Sequence, residues 1–132
     1  MDKLYDRDIT SRVEKSLLKS QIQPVLRENA EIVLRTRYLR KDDEGHITET
    51  PRELFARVAA NIAYVNLFYD KAQEPMEQSA ENYFWAMSER YFMPNSPTLM
   101  NAGRELGQLA ACFVLPVEDS LEGIFETVNA NE

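Results

Sequence analysis

The single cysteine, Cys112, has the most distinctive chemistry in this chain of 132 residues. It lies in the apolar run 109–115, which Pro116 closes. A thiol that faces a pocket can give up a hydrogen and be captured by a nearby sulfur. A lone cysteine in an apolar run is more often a packing residue, however. With one cysteine, an intrachain disulfide and a cysteine-based metal cluster are both excluded.

A second candidate is Ser96, in the stretch MPNSPTLMNAG at 93–103. A hydroxyl beside free backbone N–H groups suits an anion such as a phosphate, although a serine before a proline is also typical of turns. Pro94 and Pro97 stand within four residues of each other, so the sequence predicts an ordered loop or extended segment here and no regular helix.

His46 is the only histidine, so a catalytic set that uses imidazole would have to include it. It follows Asp42, Asp43, Glu44 and Gly45 in a stretch that is typical of a turn. The acidic residues lack the alternating ligand spacing of a calcium loop. We therefore predict a solvated turn and no metal site.

Helical periodicity predicts four helices before the stretch at 93–103, at about 12–22, 27–38, 51–69 and 80–92. Two start signals resemble capping boxes, one at Ser11–Glu14 and a clearer one at Thr50–Glu53 with Pro51 at the first helical position. A third, at 119–122, opens a last helix. The run 109–115 predicts a buried strand. The inward residues are expected to be Ala30, Val33, Leu34 and Tyr38, then Tyr83, Phe84, Met87 and Tyr91, and in the last helix Ile124, Phe125 and Val128.

The composition is that of one globular domain with a real core, since 44% of the residues are hydrophobic. A net charge of -7 disfavours a nucleic-acid partner. No apolar run approaches the length of a membrane span, and the polar start lacks a secretory signal. These features predict a cytoplasmic protein.

The stretches PNSPTLMNAG and GQLAACFVLPVEDSLEGIFETV resemble the start of the catalytic barrel of class II, adenosylcobalamin-dependent ribonucleotide reductases. The upstream stretch LRTRYLRKDDEGHITETPRELFARVAANIA resembles the N-terminal helical region of the same family. The resemblance covers roughly residues 30–128. A metal-radical (class I) reductase is the nearest competitor, because both classes share the first barrel strand.

The resemblance implies a mainly α fold. Residues 1–92 would form an N-terminal helical domain, and residues 93–132 would begin a ten-stranded α/β barrel with its first strand and helix, incomplete in this chain. It also implies the reduction of ribonucleotides to deoxyribonucleotides for DNA synthesis by a thiyl-radical mechanism. Adenosylcobalamin would serve the complete enzyme and would not bind this chain alone.

The resemblance further implies roles for three residues. Cys112 matches the first of two redox-active cysteines, whose disulfide partner is not in this chain. Ser96 matches a contact to the substrate phosphate, and Ala111 matches a substrate-lining position. Family members often carry serine in the two positions before the cysteine. Here both are alanine, Ala110 and Ala111, so a hydroxyl contact is lost.

The thiyl-forming cysteine of the family lies downstream and is absent from these residues, so we expect the chain to be inactive alone. The helical pattern at its end has no stop signal. The expected partners are a ribonucleotide, the remainder of the reductase or a complementary subunit, and a second copy of the chain. The alternative is a non-catalytic helical interaction module, or a subunit of a split reductase.

Overall fold

The computed structural model describes residues 6–69 and 74–129, and these are predominantly helical. The described part of the chain contains no β-strand and one isolated antiparallel bridge, between Lys41 and Ile47. None of its helices is long and apolar enough to cross a bilayer. The helices are α1 (Arg7–Leu17), α2 (Glu28–Val33, continued as a π-helix at Leu34–Tyr38), α3 (Pro51–Ala63, continued as a 3-10 helix at Tyr64–Phe68), α4 (Met76–Ser88), α5 (Ser96–Asn101) and α6 (Leu121–Asn129).

Helix α3 is the centre of the fold, and it begins where the sequence predicts. The Thr50 hydroxyl accepts from the Glu53 N–H at 3.2 Å, and the Glu53 carboxylate accepts from the Thr50 N–H at 2.7 Å. This reciprocal capping satisfies two donors that a helix start leaves free. Every residue from 54 to 60 is buried, because α3 packs against both α1 and α4.

The hydrophobic core is formed by residues that precede position 103 in the chain. Phe55, Phe84 and Leu54 are its largest fully buried side chains, from α3 and α4. Burying each such side chain stabilises the fold by about 1.5–3 kcal/mol. The three-helix arrangement of α1, α3 and α4 therefore carries most of the hydrophobic stabilisation.

The predicted bounds of α1 and α4 are wrong by about one turn, because stronger local signals act upstream of those chosen. The Asp6 carboxylate accepts from the N–H groups of Asp8 and Ile9, so α1 starts at Arg7 and the Ser11 capping box is not its start. Pro75, in extended conformation, precedes α4. Arg90, with φ of 64°, follows its last turn and prevents its continuation to 92.

The predicted inward faces of α2 and α4 are confirmed only in part. Of the α2 stripe, Leu34 is buried, while Val33 is exposed. On α4, Phe84 and Met87 are buried. Tyr83 and Tyr91 are exposed, and Tyr91 stacks on Trp85 with ring centroids 4.9 Å apart.

The predicted buried strand at 109–115 is wrong for this structure, since the segment is irregular and mostly exposed. A strand needs hydrogen-bonding partners along its length, and the described residues provide none. Helix α6 is present, with the Ser120 hydroxyl accepting from the Gly123 N–H at 3.0 Å. Its predicted inward residues are instead exposed: Ile124, Phe125 and Val128.

Candidate functional site

Ser96 is the first residue of a short helix, so the predicted loop at this position is wrong. Pro97 lies within the first turn, where a missing N–H costs nothing. The Asn95 side chain caps the helix by accepting from the Thr98 N–H at 3.3 Å. The Ser96 hydroxyl and the Tyr38 hydroxyl lie 2.7 Å apart and share a hydrogen bond. A structural partner therefore already engages the hydroxyl that the sequence assigns to a phosphate.

Three polar side chains of α5 and its cap hold the segment that leads to Cys112. The Asn101 amide donates to the Gln108 carbonyl at 2.8 Å. The Asn95 amide donates to the Leu109 carbonyl at 3.2 Å, and the Thr98 hydroxyl, which donates to Asn95 Oδ1, lies 3.4 Å from the same carbonyl oxygen. Residues 108 and 109 are thus fixed against α5, which brings the Ser96 helix and the start of the cysteine segment together.

Ala111 and Cys112 follow this anchored stretch, and both are exposed. Cys112 is therefore accessible to solvent and to any partner that packs on this face. The structure brings the Ser96 helix next to residues 108 and 109. It does not enclose Ser96, Ala111 and Cys112 in one pocket within the described residues.

Beneath α5 lies a buried ion pair that the sequence analysis did not identify. Arg57 of α3 is only 2% exposed, and Glu49 is 8% exposed. The Arg57 Nε donates to Glu49 Oε1 at 2.7 Å, and its Nη2 donates to Oε2 at 3.1 Å. The same guanidinium donates to the carbonyls of Leu99 and Ala102, at the C-terminal end of α5. Arg57 thereby satisfies carbonyls that a helix end leaves free.

Arg104 extends this network toward Tyr38. Its Nη2 donates to the Tyr38 carbonyl at 2.9 Å and lies 3.6 Å from Glu49 Oε2. Burial lowers the pKa of Arg104, and the positive charge of Arg57 lowers it further, while Glu49 opposes both effects. The guanidinium stays charged, because arginine does not deprotonate in proteins. Its Nε is buried and has no hydrogen-bond partner among the described residues.

The turn at 42–46 is exposed, as predicted, and it has a positioning role. The Asp42 carboxylate accepts from the N–H groups of Glu44 and His46. Gly45 adopts a φ of 86°, which favours glycine. The turn returns the chain alongside its entry, so that Glu49 Oε2 accepts from the Arg40 N–H at 3.0 Å. The side chains of Asp42, Glu44 and His46 are exposed and lie close together, with His46 Nδ1 3.4 Å from a carboxylate oxygen of each acidic residue.

An apolar surface groove of about 600 Å³ lies between α3, α4 and the cap of α5. Ser96, Ala111 and Cys112 do not line it. Among its lining residues only Tyr83, Asn95 and Thr98 carry side-chain hydrogen-bonding groups. The groove is therefore suited to apolar contact and offers little for a charged nucleotide.

Comparison with known proteins agrees with this helical arrangement. Residues 25–107 match the family described as "Ribonucleotide reductase, all-alpha domain". A vitamin B12-dependent ribonucleoside-diphosphate reductase of Thermoplasma acidophilum is 37% identical, over 89% of this chain and 22% of the relative. One from Mycobacterium tuberculosis is 42% identical, over 89% of this chain and 17% of the relative. A ribonucleoside-diphosphate reductase large chain of Schizosaccharomyces pombe is 38% identical, over 64% and 9%.

The chain therefore belongs to the ribonucleotide reductase family. The resemblance drawn from the sequence is confirmed, and the matches that cover 89% of the chain are named as the vitamin B12-dependent kind. The chain spans about a fifth of the length of those relatives. The family match at 25–107 contains α5 and the buried Glu49–Arg57 pair.

Sequence reasoning missed Glu49, Arg57 and Arg104, although one signal was present. Arg57 interrupts the apolar run LFARVAA of α3, at a position that the helical period places on the buried face. A charge in such a place is buried only when it is paired. Its carboxylate partner stands before the helix, and no spacing rule connects the two.

Proposed function

We propose that this chain is the N-terminal part of the catalytic chain of a vitamin B12-dependent ribonucleotide reductase. Its identity to two such enzymes over 89% of its length carries this proposal. The complete enzyme reduces ribonucleotides to deoxyribonucleotides by a thiyl-radical mechanism and acts in the cytoplasm. Because the chain spans only about a fifth of those relatives, it is inactive until the remaining part of the catalytic chain is present.

Within that enzyme Cys112 serves as one of two redox-active cysteines, and the other comes from the remaining part. The exposed position of Cys112 supports this role, because disulfide formation requires another sulfur to approach closely. In the step that consumes this thiol, two thiols lose two electrons and two protons to the substrate and become a disulfide. The backbone of Ala111, which is also exposed, lines the substrate site.

Ser96 contacts the substrate phosphate in this proposal. Its hydroxyl shares a hydrogen bond with the Tyr38 hydroxyl, and both side chains can donate and accept. A phosphate oxygen that accepts from Ser96 therefore leaves Tyr38 able to donate to the Ser96 oxygen. Substrate binding would thus add to the existing hydrogen bond and would not have to break it.

Adenosylcobalamin belongs to the complete enzyme, where it supplies the radical. In this proposal most of its site lies in the remaining part of the catalytic chain. The apolar groove offers few hydrogen-bonding groups for the amide side chains of a corrin, and the lone histidine lies in an exposed turn. No step of the reaction is therefore assigned to this chain through that cofactor.

The test joins this chain to the downstream part of a vitamin B12-dependent relative and measures deoxynucleotide formation with adenosylcobalamin and a dithiol reductant. We expect turnover in the joined enzyme, none in the chain alone, and loss of multiple turnover in Cys112→Ser. The exposed residue Ser16 on α1 provides a matched control, and Ser16→Ala should retain full turnover. Full multiple turnover in Cys112→Ser would contradict the redox role.

The exposed apolar side chains after residue 112 support a partner on this face in either view of the chain. Phe113 is 62% exposed and Val114 is 99% exposed. In the reductase proposal the covering partner is the remaining part of the catalytic chain, and a second copy of the chain can occupy the same face in its absence. A non-catalytic interaction module would keep such a surface but would give no turnover in the joined enzyme. Gel filtration of the chain with and without the downstream part measures this association.

A further inference from the structure

We propose that Arg57 is a positioning residue, which fixes α5 and residues 108–109 in the arrangement that the substrate site requires. This inference rests on the proposed function for its consequence in catalysis. Its structural part stands on the contacts of Arg57 alone. The residue touches neither Ser96 nor Cys112, and it acts through the helix that carries Ser96.

The Arg57 guanidinium makes four hydrogen bonds to three residues. Arg57 donates to both oxygens of Glu49 and to the carbonyls of Leu99 and Ala102. It belongs to α3, the helix at the centre of the core, and is itself 2% exposed. The end of α5 is therefore attached to the central, buried helix of the fold by charge-assisted hydrogen bonds.

Helix α5 is short and buries little apolar surface of its own. The helix has six residues, and an isolated helix of that length is unstable in water. Of its residues only Leu99 is buried, followed by Ala102 just beyond its end. The carbonyls that Arg57 binds belong to these same two residues. Polar anchoring and apolar anchoring thus act at one end of the helix.

Helix α5 links the contacts of Arg57 to the proposed substrate site. The opposite end of α5 begins at Ser96, whose hydroxyl pairs with Tyr38. The carbonyls of Gln108 and Leu109 are contacted by side chains of α5 and its cap, those of Asn101, Asn95 and Thr98. Loss of the contacts made by Arg57 would free Ser96 to move. It would also free the backbone from Leu109 to Cys112, which lies three residues further along the chain.

Arg52 provides a matched control on the same helix. Its three nitrogens donate to the carbonyls of Leu18, Ser20 and Ile22, after the end of α1. Arg52 and Arg57 thus perform the same physical task toward different segments. A substitution at either position weakens the fold, but only Arg57 faces α5.

The first test compares Arg57→Lys and Arg52→Lys in the chain by amide hydrogen exchange. The amides of Ala102 and Arg104 are direct reporters, since they donate to the carbonyls of Thr98 and Asn101. We expect Arg57→Lys to accelerate their exchange at least tenfold, with the α4 amides unchanged, and Arg52→Lys to leave them as in the wild type. Unchanged protection of these two amides in Arg57→Lys, or equal acceleration by both variants, would overturn the inference. If Arg57→Lys does not fold, Glu49→Gln, which keeps Arg57 but removes its counter-charge, takes its place.

The second test separates this inference from the proposed function, and it uses the joined enzyme described above. We expect Arg57→Lys to raise KM for the ribonucleotide by roughly tenfold or more, because misplacement by about 1 Å can cost as much as 100-fold. Arg52→Lys should leave KM unchanged. Accelerated exchange combined with an unchanged KM would support Arg57 as the anchor of α5 and contradict the phosphate role of Ser96.

Discussion

Replacing Arg52 by methionine should destabilise the chain by about 3 kcal/mol. The guanidinium donates to three carbonyls, those of Ile22 and Leu18 at 2.9 Å and that of Ser20 at 2.8 Å. It also lies 5.9 Å from the centroid of the Phe84 ring. Methionine retains the apolar stem of the side chain and removes every one of these donors. The change therefore isolates the hydrogen bonds from the packing.

The magnitude follows from the contacts. Hydrogen bonds to a charged group contribute about 1.5–3 kcal/mol each when they are fully buried. The three carbonyls here are only partly buried and regain water when the donor is lost, so about 1 kcal/mol each is appropriate. The cation over the ring adds at most about 0.5 kcal/mol, which leaves the total at about 3–3.5 kcal/mol. Arg52→Lys should lose roughly half as much, since one ammonium can still reach one carbonyl.

The assay is urea unfolding followed by circular dichroism, with a thermal melt as a second measurement. For a chain of this size a loss of about 3 kcal/mol corresponds to a decrease in Tm of roughly 9–15 °C. The slope of the free energy against urea should stay unchanged, because the same surface is exposed on unfolding. Arg35→Met, at an exposed arginine without such contacts, should change stability by less than about 0.5 kcal/mol. A loss below about 1 kcal/mol in Arg52→Met would refute the assigned role of the three hydrogen bonds.

Three further substitutions and one control test other parts of the fold. Thr50→Ala should cost about 1 kcal/mol in urea unfolding by removing the capping box of α3, whereas Ser11→Ala, at the predicted cap that the structure does not use, should be nearly neutral. Phe84→Ala should cost about 3–5 kcal/mol by opening a cavity in the core, measured in the same way. Burial raises the pKa of Glu14 above its usual value, against the opposing charges of Arg57 and Arg40. The stability linked to its protonated form is present below the unfolded pKa and is lost as the pH rises through the folded value. Glu14→Gln should therefore raise Tm at pH 7 and lose this advantage near pH 4, and a constant difference across that range would contradict the assignment.

Local signals were sufficient to predict α3. The capping residues Thr50 and Glu53 lie three positions apart, and Pro51 restricts the backbone between them. Such signals fail when two of them compete within two turns. Asp6 and Ser11 both offer a cap, and the burial of Val13 and Leu17 is compatible with either start.

Proline was misinterpreted at α5 for a related reason. The spacing of Pro94 and Pro97 predicts that no regular helix forms here. Pro97 nevertheless occupies the first turn of α5, where its ring is tolerated. The signal that could have corrected this is the adjacent Asn95, a favoured cap residue. A proline therefore has to be interpreted together with the residue two positions before it.

The residues of the candidate site stay a prediction from the sequence, and their environment could not be predicted. The resemblance proposes Ser96, Ala111 and Cys112 by their place in a specific motif. It could not identify the hydrogen bond between Ser96 and Tyr38, which are 58 positions apart in the sequence. Nor could it identify the two carbonyls that accept from Arg57, which lie 42 and 45 positions after it. Long-range polar contacts of this kind have no local pattern in the sequence.

The surroundings of Cys112 differ in kind from the rest of the fold. The core ends at Ala102, whereas Leu121 and Phe125 of α6 are 76% and 66% exposed. Covering such side chains releases about 25 cal/mol per Å² of apolar surface, so this face favours association with an apolar partner. The thiol lies in this uncovered part of the chain. In the proposed enzyme, the reactivity of this thiol should therefore depend on atoms from the remaining part of the catalytic chain.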